Sequence, residues 1–272
     1  MANNYRSNSI YFILSGHNQY ISLNNTPLRK LKTYFNWSTG KDSALALHYL
    51  MQDKNYSIEH LLTSVNQQHN RVSMHGLRRE LYRLQIDALN LPYSTIELPE
   101  QPSMQEYEML MEKEVSALQQ QGFTHAAFGD IFLEDLRKYR ENQLSTLNIK
   151  AVFPLWKKDT RELLTEFIDL GFKSILVCIK ADLLDQEFAG RIIDADFIKD
   201  LPSHVDVCGE NGEFHTFCFD GPIFNKPVPF VIGEKVYREY QAPKTADDSC
   251  SARPAKSNSG FWFCDLLPVN NS

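Results

Sequence analysis

Between Leu31 and Ile179, apolar runs of strand length alternate with amphipathic runs of helix length, and this alternation constrains the fold more than any other feature. Leu31 to Trp37 reads as a strand, Ser43 to Asp53 as a helix, Ile58 to Val65 as a strand, His75 to Leu89 as a helix and Tyr93 to Leu98 as a strand. Ser103 to Gln121 reads as a long helix closed by Gly122, with Ser103 at the N-cap and Glu106 at capping-box spacing. A strand at His125 to Gly129, a helix at Glu134 to Leu147 and a short strand at Ala151 to Phe153 come next, then a helix at Thr160 to Leu170 and a strand at Ser174 to Ile179. Strands separated by helices need crossovers rather than hairpins, so the expected fold is α/β: an open, doubly wound parallel sheet covered on both faces.

The alternation stops after about Lys180. Leu201 to Tyr240 carries short β-like pieces separated by Gly209, Gly212, Asp220-Gly221-Pro222, Pro227 and Pro229. Such punctuation predicts a second, smaller α+β region of hairpins and loops packed against the main sheet. Residues 1–29 are rich in Asn and Ser and read as a tail, and the polar stretch 241–259 reads as a mobile connector. Phe261 to Leu267 is apolar again and is expected to dock back on the core as a last strand. The expected division is a ligand-binding domain over 30–150 and a closing, substrate-side region over 151–268.

A net charge of -6 provides no basic footprint for a phosphate backbone, which disfavours nucleic acid as a partner. The five cysteines are odd in number and never at C-x-x-C spacing, so neither a disulfide framework nor a compact zinc knuckle is indicated, and a reducing cytoplasm fits. No run approaches the ~20 apolar residues needed to cross a bilayer, and the chain shows no signal peptide. A soluble protein is expected. The oligomeric state stays open, with a homodimer among the options.

The chemistry is expected at Ser38-Thr39-Gly40-Lys41-Asp42-Ser43, between the first strand and the first helix. At such a junction, unsatisfied helix N–H groups and the helix dipole favour an anion. Gly40 permits close approach of backbone to a phosphate, Lys41 adds a positive charge, and Ser38 and Ser43 add hydroxyls. Asp42 suits such a site if it holds Mg2+ or caps backbone donors. A Walker A loop is excluded, because the position five before Gly40 is Phe35 and the residue after Lys41 is Asp42.

This hexapeptide resembles the SGGKDS loop of the PP-loop ATP pyrophosphatases, whose fold is the HUP type of Rossmann-like sheet. Thr39 stands where that family usually has its second Gly, a place threonine can fill if the backbone does not demand a positive φ. Ser73-Met74-His75-Gly76 before a helix with Gln85, Gly129-Asp130-Ile131, Gly209 to Thr216 and Asp220-Gly221-Pro222 extend the likeness over about Leu31 to Pro268. Together they are similar to the diphthine-ammonia ligase group of that superfamily. Where that group's motif usually reads E-G-G-E followed by E-T, this chain has Asn211 and His215-Thr216.

The resemblance implies an ATP-dependent amide ligase with Mg2+: a carboxylate is adenylated with release of pyrophosphate and then amidated by ammonia. It leaves the carboxylate unidentified, whether diphthine on a protein or a small metabolite. The implied catalytic residues are Lys41, Asp42, Glu210 and Glu213, and the nucleotide contacts are Ser38, Thr39, Gly40, Lys41, Asp42, Ser43, Ser64 and His75. Gly129, Asp130, Gly209, Asn211, His215 and Thr216 are expected near the substrate, and Asp42 and Asp130 are candidate Mg2+ ligands.

Each has a plainer alternative. Glu210 and Glu213 could hold Mg2+, orient ammonia or accept a proton, or simply staple a tight turn. Asp130, at a strand's carboxyl end, could serve a ligand or cap the next helix. His75 could face the nucleotide or begin a helix. Arg78-Arg79 and the cluster Arg137, Lys138 and Arg140 could bind phosphates or lie on solvated faces. Cys208 and Cys218 flank the second motif, which leaves a sulfur-transferase using a persulfide as a rival. A non-catalytic adenine-nucleotide-binding module is another.

Overall fold

The computed structural model describes residues 30–240 and 259–269. In its first sheet β1 (Leu31–Asn36) is central, parallel to β2 (Tyr56–Asn66) on one edge and to β5 (His125–Ala127) on the other. β4 (Tyr93–Leu98) continues the sheet beyond β2, and β6 (Lys150–Val152) continues it beyond β5. The winding direction therefore reverses between β1 and β5, the switch point where open α/β sheets place ligands. One short strand departs from the parallel rule: β3 (Arg71–Val72) turns back antiparallel on the end of β2.

Strand alternation builds the two layers. Tyr34 on β1 is buried with Leu62, Ile96, Val115, Leu118 and Phe123, under α3 (Met104–Gln120) and α4 (Glu134–Ser145). Its neighbour Phe35 faces the opposite core, formed with α1 (Lys41–Gln52), α2 (Arg79–Leu89) and α5 (Thr160–Asp169). Burying one such large side chain contributes about 1.5–3 kcal/mol, so a one-residue slip of β1 would forfeit both cores. α3 starts at its expected capping box: the Ser103 hydroxyl accepts the Glu106 N–H at 3.2 Å, and the Glu106 carboxylate accepts the Ser103 N–H at 2.9 Å.

Two elements differ from the sequence reading. α2 begins at Arg79 rather than His75, because Met74 (φ 64°) and Gly76 (φ 65°) are left-handed and hold the intervening turn out of the helix. β7 (Lys173–Lys180) does not extend the parallel sheet. It starts a four-stranded antiparallel sheet of order β8-β7-β10-β9, with β8 (Phe214–Asp220), β9 (Phe230–Tyr240) and β10 (Ser259–Pro268). The β-like pieces after Lys180 thus form a sheet of their own, preceded by the short α6 (Ala195–Asp200). A buried apolar strand such as β7 carries no mark of parallel or antiparallel pairing, which is why the alternation misassigned it.

Phe261 to Leu267 does dock as a strand, between β7 and β9. The expected tail 1–29 and nearly all of the expected connector lie outside the described residues. One core cluster joins the α1 and α2 face of the first sheet to the second sheet, and this brings β8 onto the β1–α1 loop. Among the described residues no helix is long and apolar enough to cross a membrane.

Candidate active site

The β1–α1 loop is tied internally by hydroxyls. Ser38 Oγ lies 2.7 Å from Ser43 Oγ, the Ser43 hydroxyl accepts the Ser38 N–H at 3.3 Å, and the Ser38 hydroxyl accepts the Gly40 N–H at 3.3 Å. Thr216 on β8 accepts the Lys41 N–H through Oγ1 at 3.0 Å. Gly40 is the N-cap of α1, but its Cα faces protein: an added Cβ would lie 2.7 Å from His75 Cε1 and 3.2 Å from the Thr216 carbonyl. Its missing side chain therefore makes room for His75 and β8.

Thr39 corrects an expectation. Its φ is +76°, so this position does use the left-handed region that glycine favours. The strained backbone is fastened by two donors to the Thr39 carbonyl, the Cys218 N–H at 2.9 Å and the Gln85 side-chain amide at 3.0 Å. Gln85 is buried on α2; it also donates to the Cys218 carbonyl at 2.6 Å and accepts from the Trp37 indole at 2.8 Å.

Lys41 points inward. Its Nζ lies 2.8 and 2.7 Å from the two carboxylate oxygens of Asp42 and also donates to the Cys208 carbonyl. Burial is the largest influence and works against the charge, but Asp42, Cys208 and Glu210 together outweigh it and raise the Lys41 pKa, so the ammonium persists. Across the switch point, Gly129 abuts the start of α1: a Cβ there would lie 2.9 Å from the Ser43 nitrogen. That contact demands glycine.

The second motif forms a loop stapled by two carboxylates. Asp206 Oδ1 accepts the Cys208 N–H at 3.0 Å and the Glu210 N–H at 3.3 Å, and its Oδ2 accepts the Thr160 hydroxyl at 2.7 Å. Glu213 is buried and accepts the Asp206 N–H at 3.2 Å, the Asn211 N–H at 2.9 Å and the Asn211 side-chain amide at 3.0 Å. Gly209 (φ 69°) packs under Phe214, where a Cβ would come within 2.9 Å of the ring. Glu210 is the carboxylate this loop delivers to the switch point: its Oε1 accepts the Ile131 N–H at 2.7 Å and the Phe132 N–H at 3.3 Å. Burial first, then the nearby Asp42 charge, push its carboxyl up to about 7.

The remaining expected residues separate into two groups. His75 and His215 meet beside the loop, with ring centroids 4.9 Å apart. His75 Nδ1 lies 2.8 Å from the Thr216 carbonyl, which can only accept, so Nδ1 carries the proton. Burial lowers the pKa of His75 to about 3 and of His215 to about 4, so both imidazoles are neutral at physiological pH. Asp130 is turned to Arg140, with Nε 2.9 Å from Oδ2 and Nη2 3.2 Å from Oδ1. It does not cap α4, whose N-cap is Leu133. Ser64 stands near the end of β2 with its carbonyl accepting from Ser73 N–H at 3.0 Å, and no hydrogen bond joins it to the loop among those described.

Arg78 pairs with Asp265, Arg79 with Glu97 and Arg137 with Glu141, so these arginines are structural pairs. Asp206 is a partner the sequence reading missed; Gln85 entered it only as part of a motif, and Arg140 only as one of a cluster that could bind phosphates. Only Asp206 carried a local signal, the Asp-x-Cys spacing of a side chain that bonds backbone two residues on.

Three loop N–H groups, three hydroxyls and a buried ammonium gather at a helix start, a donor set that suits an anion able to displace the protein oxygens these N–H groups and the ammonium now engage. It suits a protein-held Mg2+ less well. Asp42 is engaged by Lys41 and Asp130 by Arg140, and no three His, Cys, Asp or Glu side chains converge as ligands among the described residues. The crevice lined by Lys41, Asp42, Leu45, Leu163, Leu164, Phe167 and Cys208 is about 160 Å3. That figure includes space open to solvent, and the crevice holds no room for even a water molecule, so a nucleotide does not fit beside Lys41 in this arrangement.

Residues 31–150 match the family described as Diphthamide synthase N-terminal domain, and residues 159–244 match the Diphthamide synthase C-terminal domain. Curated relatives named Diphthine–ammonia ligase are 32% identical over 102 residues in Bos taurus, 31% over 110 in Danio rerio and 30% over 116 in Homo sapiens. Those stretches cover 35%, 38% and 40% of this chain, and 38%, 43% and 43% of the relatives. The chain thus spans under half the length of the curated relatives it matches. A solved structure, the U34-tRNA thiolase NcsA from Methanococcus maripaludis, aligns with TM-score 0.33 and 16% identity over 53% of this chain and 58% of that one, too loosely to bear on the fold. With two consecutive domain matches over most of its length, this chain belongs to the diphthamide synthase family.

Proposed function

We propose that this chain is an ATP-dependent carboxylate–ammonia ligase that forms AMP and pyrophosphate. The observation that carries the reading is the meeting, at the switch point, of the anion-suited loop Ser38 to Ser43 with Glu210 from the second motif. In the reaction, a carboxylate oxygen attacks the α-phosphorus of ATP and pyrophosphate leaves. Ammonia then attacks the activated carbonyl carbon, AMP leaves, and the nitrogen gives up a proton.

The chain's residues divide this work. Lys41, with the Ser38 and Ser43 hydroxyls and the loop N–H groups, offsets phosphate charge; positioning and electrostatics suffice, so no protein nucleophile is required. Mg2+, if bound, would supply further charge neutralisation, and Asp42 is the carboxylate beside the loop lysine that would face it. Glu210, poised near neutrality, accepts the proton lost from nitrogen. Asp206 and Glu213 hold the loop that presents it.

A persulfide route is not favoured. Cys208 and Cys218 are buried, burial raises both thiols far above the usual range, and Cys208 donates its proton to the Thr160 carbonyl at 3.2 Å. The test is incubation with ATP, Mg2+, ammonium and a panel of acceptors, including a protein bearing diphthine, with separation of the nucleotide products. Acceptor-dependent AMP and pyrophosphate support the reading. ADP and phosphate, or binding without turnover on every acceptor, overturn it.

A further inference from the structure

Ile131 and Phe132 follow β5 at the switch point, and their backbone N–H groups converge on a single oxygen, Glu210 Oε1, at 2.7 and 3.3 Å. Consecutive amides aimed at one oxygen form an anion-binding concavity. They lie ahead of α4, whose first intrahelical acceptor is Leu133, so the helix makes no use of them. The carboxylate they hold comes from the other end of the chain, 79 residues away from Ile131.

Glu210 is an uncomfortable occupant. It is partly buried, and the carboxylates of Asp42 and Asp130 both repel it while Lys41 attracts it. The two amides and the ammonium thus hold one carboxylate against two others. A carboxylate on a ligand carries the same group to the same donors without the tether of the loop from Asp206 to Glu213.

We infer that the Ile131–Phe132 amide pair is the subsite for the carboxylate of the acceptor, and that Glu210 is its internal stand-in. The identification of the ligand as an acceptor rests on the ligase reading above; the subsite itself does not. With one carboxylate oxygen on the amides, the other is free to face the phosphate bound at Ser38 to Ser43. The same two donors then face the oxygen that becomes negative when ammonia adds to the carbonyl carbon.

The experiment uses the full chain with 15N placed in isoleucine and phenylalanine, without nucleotide, and sodium formate as the probe against sodium chloride at equal ionic strength. In Glu210→Ala, formate should move the Ile131 and Phe132 amide signals saturably and downfield. In the wild type the same movement should need at least about tenfold more formate, because Glu210 competes. If Glu210→Ala does not fold, Glu210→Ser, whose short side chain does not reach the two amides, takes its place with the same expectation. Signals that ignore formate in the variant, or move at equal concentrations in variant and wild type, overturn the subsite. Because ATP is absent, formate binding without AMP formation on any acceptor leaves the subsite standing and removes the ligase reading. Acceptor-dependent AMP formation without a formate response does the reverse.

Discussion

Thr216 accepts the backbone N–H of Lys41 at 3.0 Å, so a strand of the second sheet caps the first turn of the helix that follows β1. The Thr216 carbonyl accepts from His75 as well, and one residue of β8 thereby ties together the loop, the β3–α2 connection and the second motif. Thr216→Val keeps the shape but leaves a buried N–H without its acceptor, which costs about 1–3 kcal/mol. It should lower the urea midpoint and cut pyrophosphate release. Thr216→Ser, which keeps the hydroxyl, should retain most of both.

Lys41 and Asp42 pair with each other, although side chains adjacent in a helix do not usually face one another. Lys41→Ala leaves Asp42 without its cation in a mostly enclosed site, and removing one partner of a buried pair costs up to about 3–5 kcal/mol; the partial exposure of Asp42 reduces that figure. The double variant Lys41→Ala/Asp42→Ala should recover much of the lost stability while pyrophosphate release stays abolished. Denaturant melts beside a product assay separate the two effects. A Lys41→Ala protein that releases pyrophosphate at the wild-type rate would remove the loop from the mechanism.

Thr39 is a threonine at φ +76°, and its buried hydroxyl has no protein partner. Leaving the left-handed region to glycine relieves about 1–2 kcal/mol, against roughly 0.5–1 kcal/mol for the added freedom of the unfolded chain. Thr39→Gly should therefore be neutral to slightly stabilising, whereas Thr39→Val keeps the strain and removes only the unpaired buried hydroxyl. A Thr39→Gly protein less stable than the wild type by more than 1 kcal/mol in urea would show that the side chain packs usefully despite its backbone.

What could be read from the sequence was whatever is enforced locally. The strand–loop–helix junction at Ser38 to Ser43 and the Ser103–Glu106 cap follow from neighbours within a few residues, and both stand where the spacing put them. The turn that keeps His75 out of α2 depends on a left-handed Met74, which no composition rule announces. Long-range partners were less accessible still. Arg140 reads as one of several charges on a helix, and only the folded chain brings it to Asp130. Glu213 reads as a catalytic candidate, whereas the fold spends both its oxygens on the backbone and side chain of its own loop.

His75 and His215, whose rings meet at a 35° tilt beside Gly40, should make the protein acid-labile. Unfolded imidazoles titrate near 6.5, while burial lowers these two to about 3 and about 4. Between those limits the unfolded chain binds more protons than the folded one, so stability is fully present above pH 6.5 and falls as the pH drops toward 4. At pH 5 the loss is up to about 2 kcal/mol for each group. Glu210 works in the opposite direction, because a carboxyl raised from 4.5 to about 7 disfavours the folded state as the pH rises across that span. Comparing the wild type with His75→Gln/His215→Gln cancels that contribution. The double variant should lose less stability than the wild type between pH 7.5 and pH 5 in thermal melts, and equal losses would show that the two rings are open to protons in the folded state.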